Sequence, residues 1–108
     1  MFDIDLHDAK ILGIKFNNND DSLMLNVRAI NKVHYILEFK EVYRWVLTSF
    51  EEQNVIFTIE KYISPPVWLL EEYNVENCIP DGLSAFYINS SVGMNGVIFS
   101  EDIILIEI

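Results

Sequence analysis

The chain reads as a mainly β domain: an antiparallel two-sheet sandwich or curled half-barrel of seven to eight strands with one short helix. Three observations predict it. Apolar residues recur with a period of two through most of the sequence, as half-buried strands require. The runs between turn signals are short and rich in β-branched and aromatic residues. A single segment, "ISPPVWLLEEYN", departs from that pattern in favour of a helical one.

The elements follow in order. "AKILGIKF" aligns Leu12, Ile14 and Phe16 along a strand, and the polar island "NNNDDS" behind it is a hairpin loop whose Asn and Asp residues tolerate turn conformations. In "SLMLNVRAI", Leu23, Leu25, Val27 and Ala29 share the inward face, with Asn26 and Arg28 outward. "KVHYILEF" repeats this, with Val33, Tyr35, Leu37 and Phe39 inward and His34, Glu38 and Lys40 outward, across a tight turn at Asn31 and Lys32. "EVYRWVLTSF" and "NVIFTIEKYI" are two further strands joined through "EEQN", and Phe57 and Ile59 are expected in the core. Ser64 is placed to cap the helix and Pro65 to occupy its first position, with Pro66, Leu69, Leu70 and Tyr73 as the apolar stripe. "LSAFYINSS", "GVIF" and "DIILIEI" complete the strands, the first two linked by the glycine-bearing hairpin "VGMNG".

At 108 residues, residues 1–108 make one domain with one core. The composition, 51% hydrophobic and 22% charged, is that of a folding chain rather than a disordered one. No apolar run approaches the roughly 20 residues of a membrane-spanning helix, and "MFDIDLHD" lacks the form of a secretory signal. With Cys78 as the only cysteine, an internal disulfide is excluded and a cytoplasmic location is expected.

Charge sets the classes of partner. Seventeen acidic residues against seven basic ones give a formal net charge of −10, which repels nucleic acid and anionic membrane alike. The same field accelerates encounter with a basic protein, or serves solubility alone.

Sites of chemistry are sparse. In "FDIDLH", an extended chain would place Asp3 and His7 about 13 Å apart, so that stretch cannot gather Asp3, Asp5 and His7 on one ion. Asp5 and His7 offer two ligands where zinc needs three or four. The stretch reads instead as a polar turn before the first strand, with Asp8 bonding nearby backbone amides. Cys78 has an acidic neighbourhood that raises a thiol pKa, and the chain carries no nucleophile elbow, EF-hand loop or phosphate-cradling loop. No catalytic residue, metal or cofactor is assigned.

One segment points to recognition. In "EVYRWVLTSF", Tyr43, Trp45 and Leu47 share one face and Val42, Arg44, Val46 and Thr48 the other, so unless both faces are covered bulky side chains are left exposed. Tyr, Trp and Arg dominate protein interfaces, which makes Tyr43, Arg44 and Trp45 the candidate partner-binding residues. The competing reading places Tyr43 and Trp45 in the core and leaves Arg44 a lone surface charge.

The segments "LHDAKILGI", "LEFKEVYRW", "NVIFTIEKY" and "FYINSSVGMNGVIFSEDIILIEI" together resemble a group of small, mostly uncharacterised bacterial proteins, some of them proposed immunity proteins of polymorphic toxin systems. The resemblance implies a cytoplasmic bacterial protein that binds and neutralises a partner toxin, and it carries over no catalytic residue. A small-ligand-binding β-fold and a homo-oligomer assembled through sheet edges are the rival expectations.

Overall fold

The computed structural model describes residues 5–76 and 79–108. Among these lie six strands and one helix: β1 Lys10–Asn17, β2 Ser22–Arg28, β3 His34–Thr48, β4 Val55–Tyr62, α1 Val67–Glu72, β5 Ser84–Val92 and β6 Asn95–Glu107. All pairings are antiparallel and the order β1-β2-β3-β6-β5-β4 closes on itself. The mainly-β, antiparallel class with one short helix therefore holds. The two-sheet arrangement and the count of seven to eight strands do not: among the described residues there is one sheet of six.

Both corrections have one cause. "KVHYILEF" and "EVYRWVLT" form a single strand, β3, which changes register between Val42 and Arg44 beside Glu41 in the left-handed region (φ 52°). "GVIF" and "DIILIEI" likewise fuse into β6. A bulge bends a strand without ending it, so one long strand can follow the curve of a barrel where two were expected.

The predicted hairpins stand where the turn chemistry placed them. Asn17 Oδ1 accepts from the Asn19 amide at 3.0 Å, and Asn31 Oδ1 from the Val33 amide at 3.0 Å. These are the Asx turns that make Asn a turn former. In the β5–β6 hairpin Gly93 takes φ 79°, and a Cβ there would collide with the Gln53 carbonyl and Asn54 Oδ1.

The faces of β2 and of β3 up to Phe39 are as read. Leu23, Leu25, Val27, Tyr35, Leu37 and Phe39 are buried and fill the barrel with Ile56, Phe86, Ile88 and Ile98. Phe57 is not: it is 48% exposed, because the register shift between Ile56 and Thr58 makes it the extra residue of a bulge, turned out of the ladder. Ile59, also expected inside, is half-buried. In β1 the bulge falls at Leu12, leaving it 47% exposed, while Ile14 and Phe16 stand opposite Leu25 and Leu23.

A second cluster lies on the outer face of β5 and β6, where Leu69 and Leu70 of α1 pack against Ala85, Val97 and Phe99. The N-cap is Pro66 with no side-chain cap bond, so Ser64 does not cap and Pro65 precedes the helix. A six-residue helix without a cap is held by its packing rather than by propensity. The Tyr73 hydroxyl behind it donates to Asn95 Oδ1 at 2.7 Å, and burial pushes its pKa up to about 12, so it stays a donor.

The barrel closes through a narrow seam. Only Lys10 and Val55 pair in the β1–β4 ladder, flanked by Asp8 N–H to Ile56 O at 2.9 Å, Ile56 N–H to Ala9 O at 2.9 Å and Ile11 N–H to Asn54 O at 2.8 Å. Beyond Ile11 the two strands part. That is why Ile14 (42%) and Phe16 (36%), although on the inward side of β1, remain exposed.

Candidate functional site

The Glu41 bulge decides how the segment after it is presented. Val42, expected beside Arg44, instead joins the core, and its amide donates to the Asp21 carbonyl of the β1–β2 loop at 2.8 Å. Tyr43 becomes the extra residue and is 54% exposed. From Arg44 onward the alternation resumes in the new register. Arg44 and Val46 stand opposite Phe99 and Val97 on the outer face, whereas Trp45 and Leu47 stand opposite Ile98 and Gly96 on the inner one.

Trp45 is nevertheless 38% exposed, because β2 has ended at this level and no strand among the described residues covers that side. Its indole meets Phe16 instead, with ring centroids 4.6 Å apart and planes 35° from parallel. The segment 42–48 thus pairs with β6 on one side, and among the described residues its other edge has no strand partner. Tyr43, Arg44 and Trp45 are all exposed, so the reading that buried the two aromatics does not describe this surface. Asp20, Asp21 and Glu41, all exposed, bracket the segment from the adjoining loop and bulge.

Phe16 is the member of this surface that alternation alone did not single out. A signal for the bulge is present in the sequence: after Tyr35, Leu37 and Phe39 the next inward position falls on Glu41, which strict alternation would bury. A charge at an inward position announces a slip of register.

The opening stretch resolves differently. Asp3 and Cys78 lie outside the described residues. The polar turn is present at His7 and Asp8, but Asp5 rather than Asp8 binds the backbone, its Oδ1 accepting from the His7 amide at 2.9 Å. His7 Nδ1–H donates to the Phe57 carbonyl at 2.9 Å, its Nε2 lies 3.6 Å from Asp8, and its ring meets Phe57 edge-on at 5.3 Å. The Phe57 carbonyl, then Asp8, raises the His7 pKa above its ordinary value. These contacts tie His7 to the barrel seam through Phe57. His34 is exposed at the start of β3, as expected. No group of three or more metal-ligating side chains occurs among the described residues.

Among the described residues no helix is long and apolar enough to cross a membrane. Compared with known proteins, the chain matches no family model, no curated protein and no solved structure.

Proposed function

We propose that the chain is a non-enzymatic protein-binding module that docks its partner on the Tyr43–Trp45 segment of β3 and the neighbouring Phe16. The carrying observation is that this aromatic segment is exposed along a strand edge with no partner among the described residues. Such an edge offers backbone hydrogen bonds and aromatic anchors together. The net charge of −10 favours a basic partner. Its barrel interior, filled by Leu25, Leu37, Phe39, Phe86 and Ile98, favours a protein over a small ligand inside the barrel.

With the resemblance drawn from sequence, the specific reading is a cytoplasmic bacterial immunity protein that neutralises a basic toxin. Co-expression with toxins encoded by adjacent genes tests it. Growth should be rescued by the wild type and lost with a folded Trp45→Ala variant. Failure of every neighbouring product to bind or be neutralised defeats the immunity reading.

Assembly through sheet edges is the second reading, and one observation favours it. Among the described residues the stretch Asp102–Glu107 of β6 pairs only with β3, since the β5–β6 ladder ends at Ser84 and Ser100, and it carries Ile106 at 43% exposure. Like-charge repulsion between two acidic chains opposes it. Sedimentation distinguishes the two, a monomer supporting the first.

A further inference from the structure

Three of the seven Lys and Arg side chains of this acidic protein converge on one hollow. It has a volume of about 560 Å³ and lies at the end of β3 opposite Trp45, lined by Lys10, Arg28, Lys32 and His34 together with Asp8 and Ile30. Lys10 stands directly opposite Arg28, and Arg28 directly opposite His34, so a row of basic groups crosses β1, β2 and β3 on the outer face. Like charges in directly opposed positions destabilise a sheet. Asp8 is the one carboxylate among the described residues of the lining, and it makes no ion pair with the row. Among the described residues the carboxylate contacts within 4.0 Å join His7 to Asp8 and Lys40 to Glu38, and none reaches this row. Asp8, though in the lining, is the carboxylate that faces His7.

We infer that this hollow binds a small phosphate-bearing anion. Such an anion would neutralise the row and use the planar donor fork of Arg28, which stands between Lys10 and His34 in the sheet. Lys32 is presented from a hydrogen-bonded turn: its amide donates to the Ala29 carbonyl at 2.8 Å, and Asn31 Oδ1 accepts from the Val33 amide. Ile30, 72% exposed at the rim, offers an apolar wall to the body of a phosphomonoester. The ligand must be small. Screening confines the local positive field to about 10 Å at 0.1 M salt, and a long polyanion would run from the hollow onto an acidic surface. This inference does not depend on the protein-binding reading, since it concerns other residues at the other end of β3.

The test is titration of the full chain with pyrophosphate at constant ionic strength, followed by amide chemical shifts. Saturable shifts should cluster at Lys10 and at residues 28–34. Arg28→Gln should weaken binding about tenfold or more, and Lys15→Gln, an exposed lysine elsewhere on β1, should change it less than about twofold. Without phosphate, Arg28→Gln should melt no lower than the wild type, because it removes like-charge repulsion. Should that variant fail to fold, Lys10→Gln carries the same expectations. Unsaturable or scattered shifts, equal weakening by Lys15→Gln, or tighter binding of a single-stranded oligonucleotide would each overturn the proposal.

Discussion

Phe16 and Trp45 stack across the open end of the barrel, with ring centroids 4.6 Å apart, although β2 separates their strands in the sheet. The contact exists because β3 bends at Glu41 and carries its second half past the end of β2. It joins the edge of β3 to the loose end of β1, so the exposed surface behaves as one unit. A double-mutant cycle of Phe16→Ala and Trp45→Ala in urea should give a coupling of about 0.5–1.5 kcal/mol. Strict additivity would mean that the rings are merely neighbours.

Asn54 is the polar knot of the fold. It is 2% exposed; its Oδ1 accepts from the amides of Glu51 at 2.9 Å and Met94 at 2.8 Å, and its Nδ2 donates to the Glu51 carbonyl. Its own carbonyl accepts from Ile11 across the seam. Asn54→Ala should cost about 2–4 kcal/mol by leaving buried backbone donors unmatched. A loss below about 1 kcal/mol in equilibrium denaturation would show that water replaces the amide there.

Leu37 and Phe57 form a contrasting pair. Leu37, fully buried inside the barrel, should cost about 2–5 kcal/mol when changed to Ala. Phe57, expelled by its bulge, should cost about 1 kcal/mol or less. Equal losses would mean that the register of β4 is misplaced.

Those faces show which parts of the fold were legible in the sequence and which were not. The alternation in β2 and early β3 is unbroken, so Leu25, Val27, Tyr35 and Leu37 declared their burial directly. Bulges at Leu12, Tyr43 and Phe57 each insert one residue and reverse every face beyond it, and apart from the charge of Glu41 at an inward position the alternation carries no marker for the insertions. The candidate surface was legible as residue types, Tyr43, Arg44 and Trp45, but not as a place. Its exposure depends on where β2 stops and on Phe16, a contact between segments far apart in the chain. The basic row was hidden for the same reason: Lys10, Arg28 and His34 come together only through strand pairing.

His7 makes the seam sensitive to pH. Its folded pKa is raised by the Phe57 carbonyl first and by Asp8 next, above an unfolded value of 6.5. A raised pKa means stabilisation that is complete below the unfolded value and is lost as pH rises through the folded one. The Nδ1–H bond to Phe57 survives in the neutral ring, so only the charged part of the contribution disappears. The stability difference between wild type and His7→Gln should therefore be larger at about pH 5.5 than at about pH 8.5. The opposite trend in paired denaturation curves would show that His7 does not latch the seam in its protonated form.

If an aromatic strand edge in an acidic field captures a basic protein, the rate constants of that encounter report it. With the toxin from a neighbouring gene immobilised, association of the wild type should slow steeply as salt rises, because ions screen the steering field, while dissociation should change little. Trp45→Ala, confirmed folded by its denaturation curve, should dissociate faster by about thirtyfold or more, matching an anchor of about 2 kcal/mol. Salt-independent association together with an unchanged dissociation rate for Trp45→Ala would contradict the account, placing the binding surface elsewhere on the barrel.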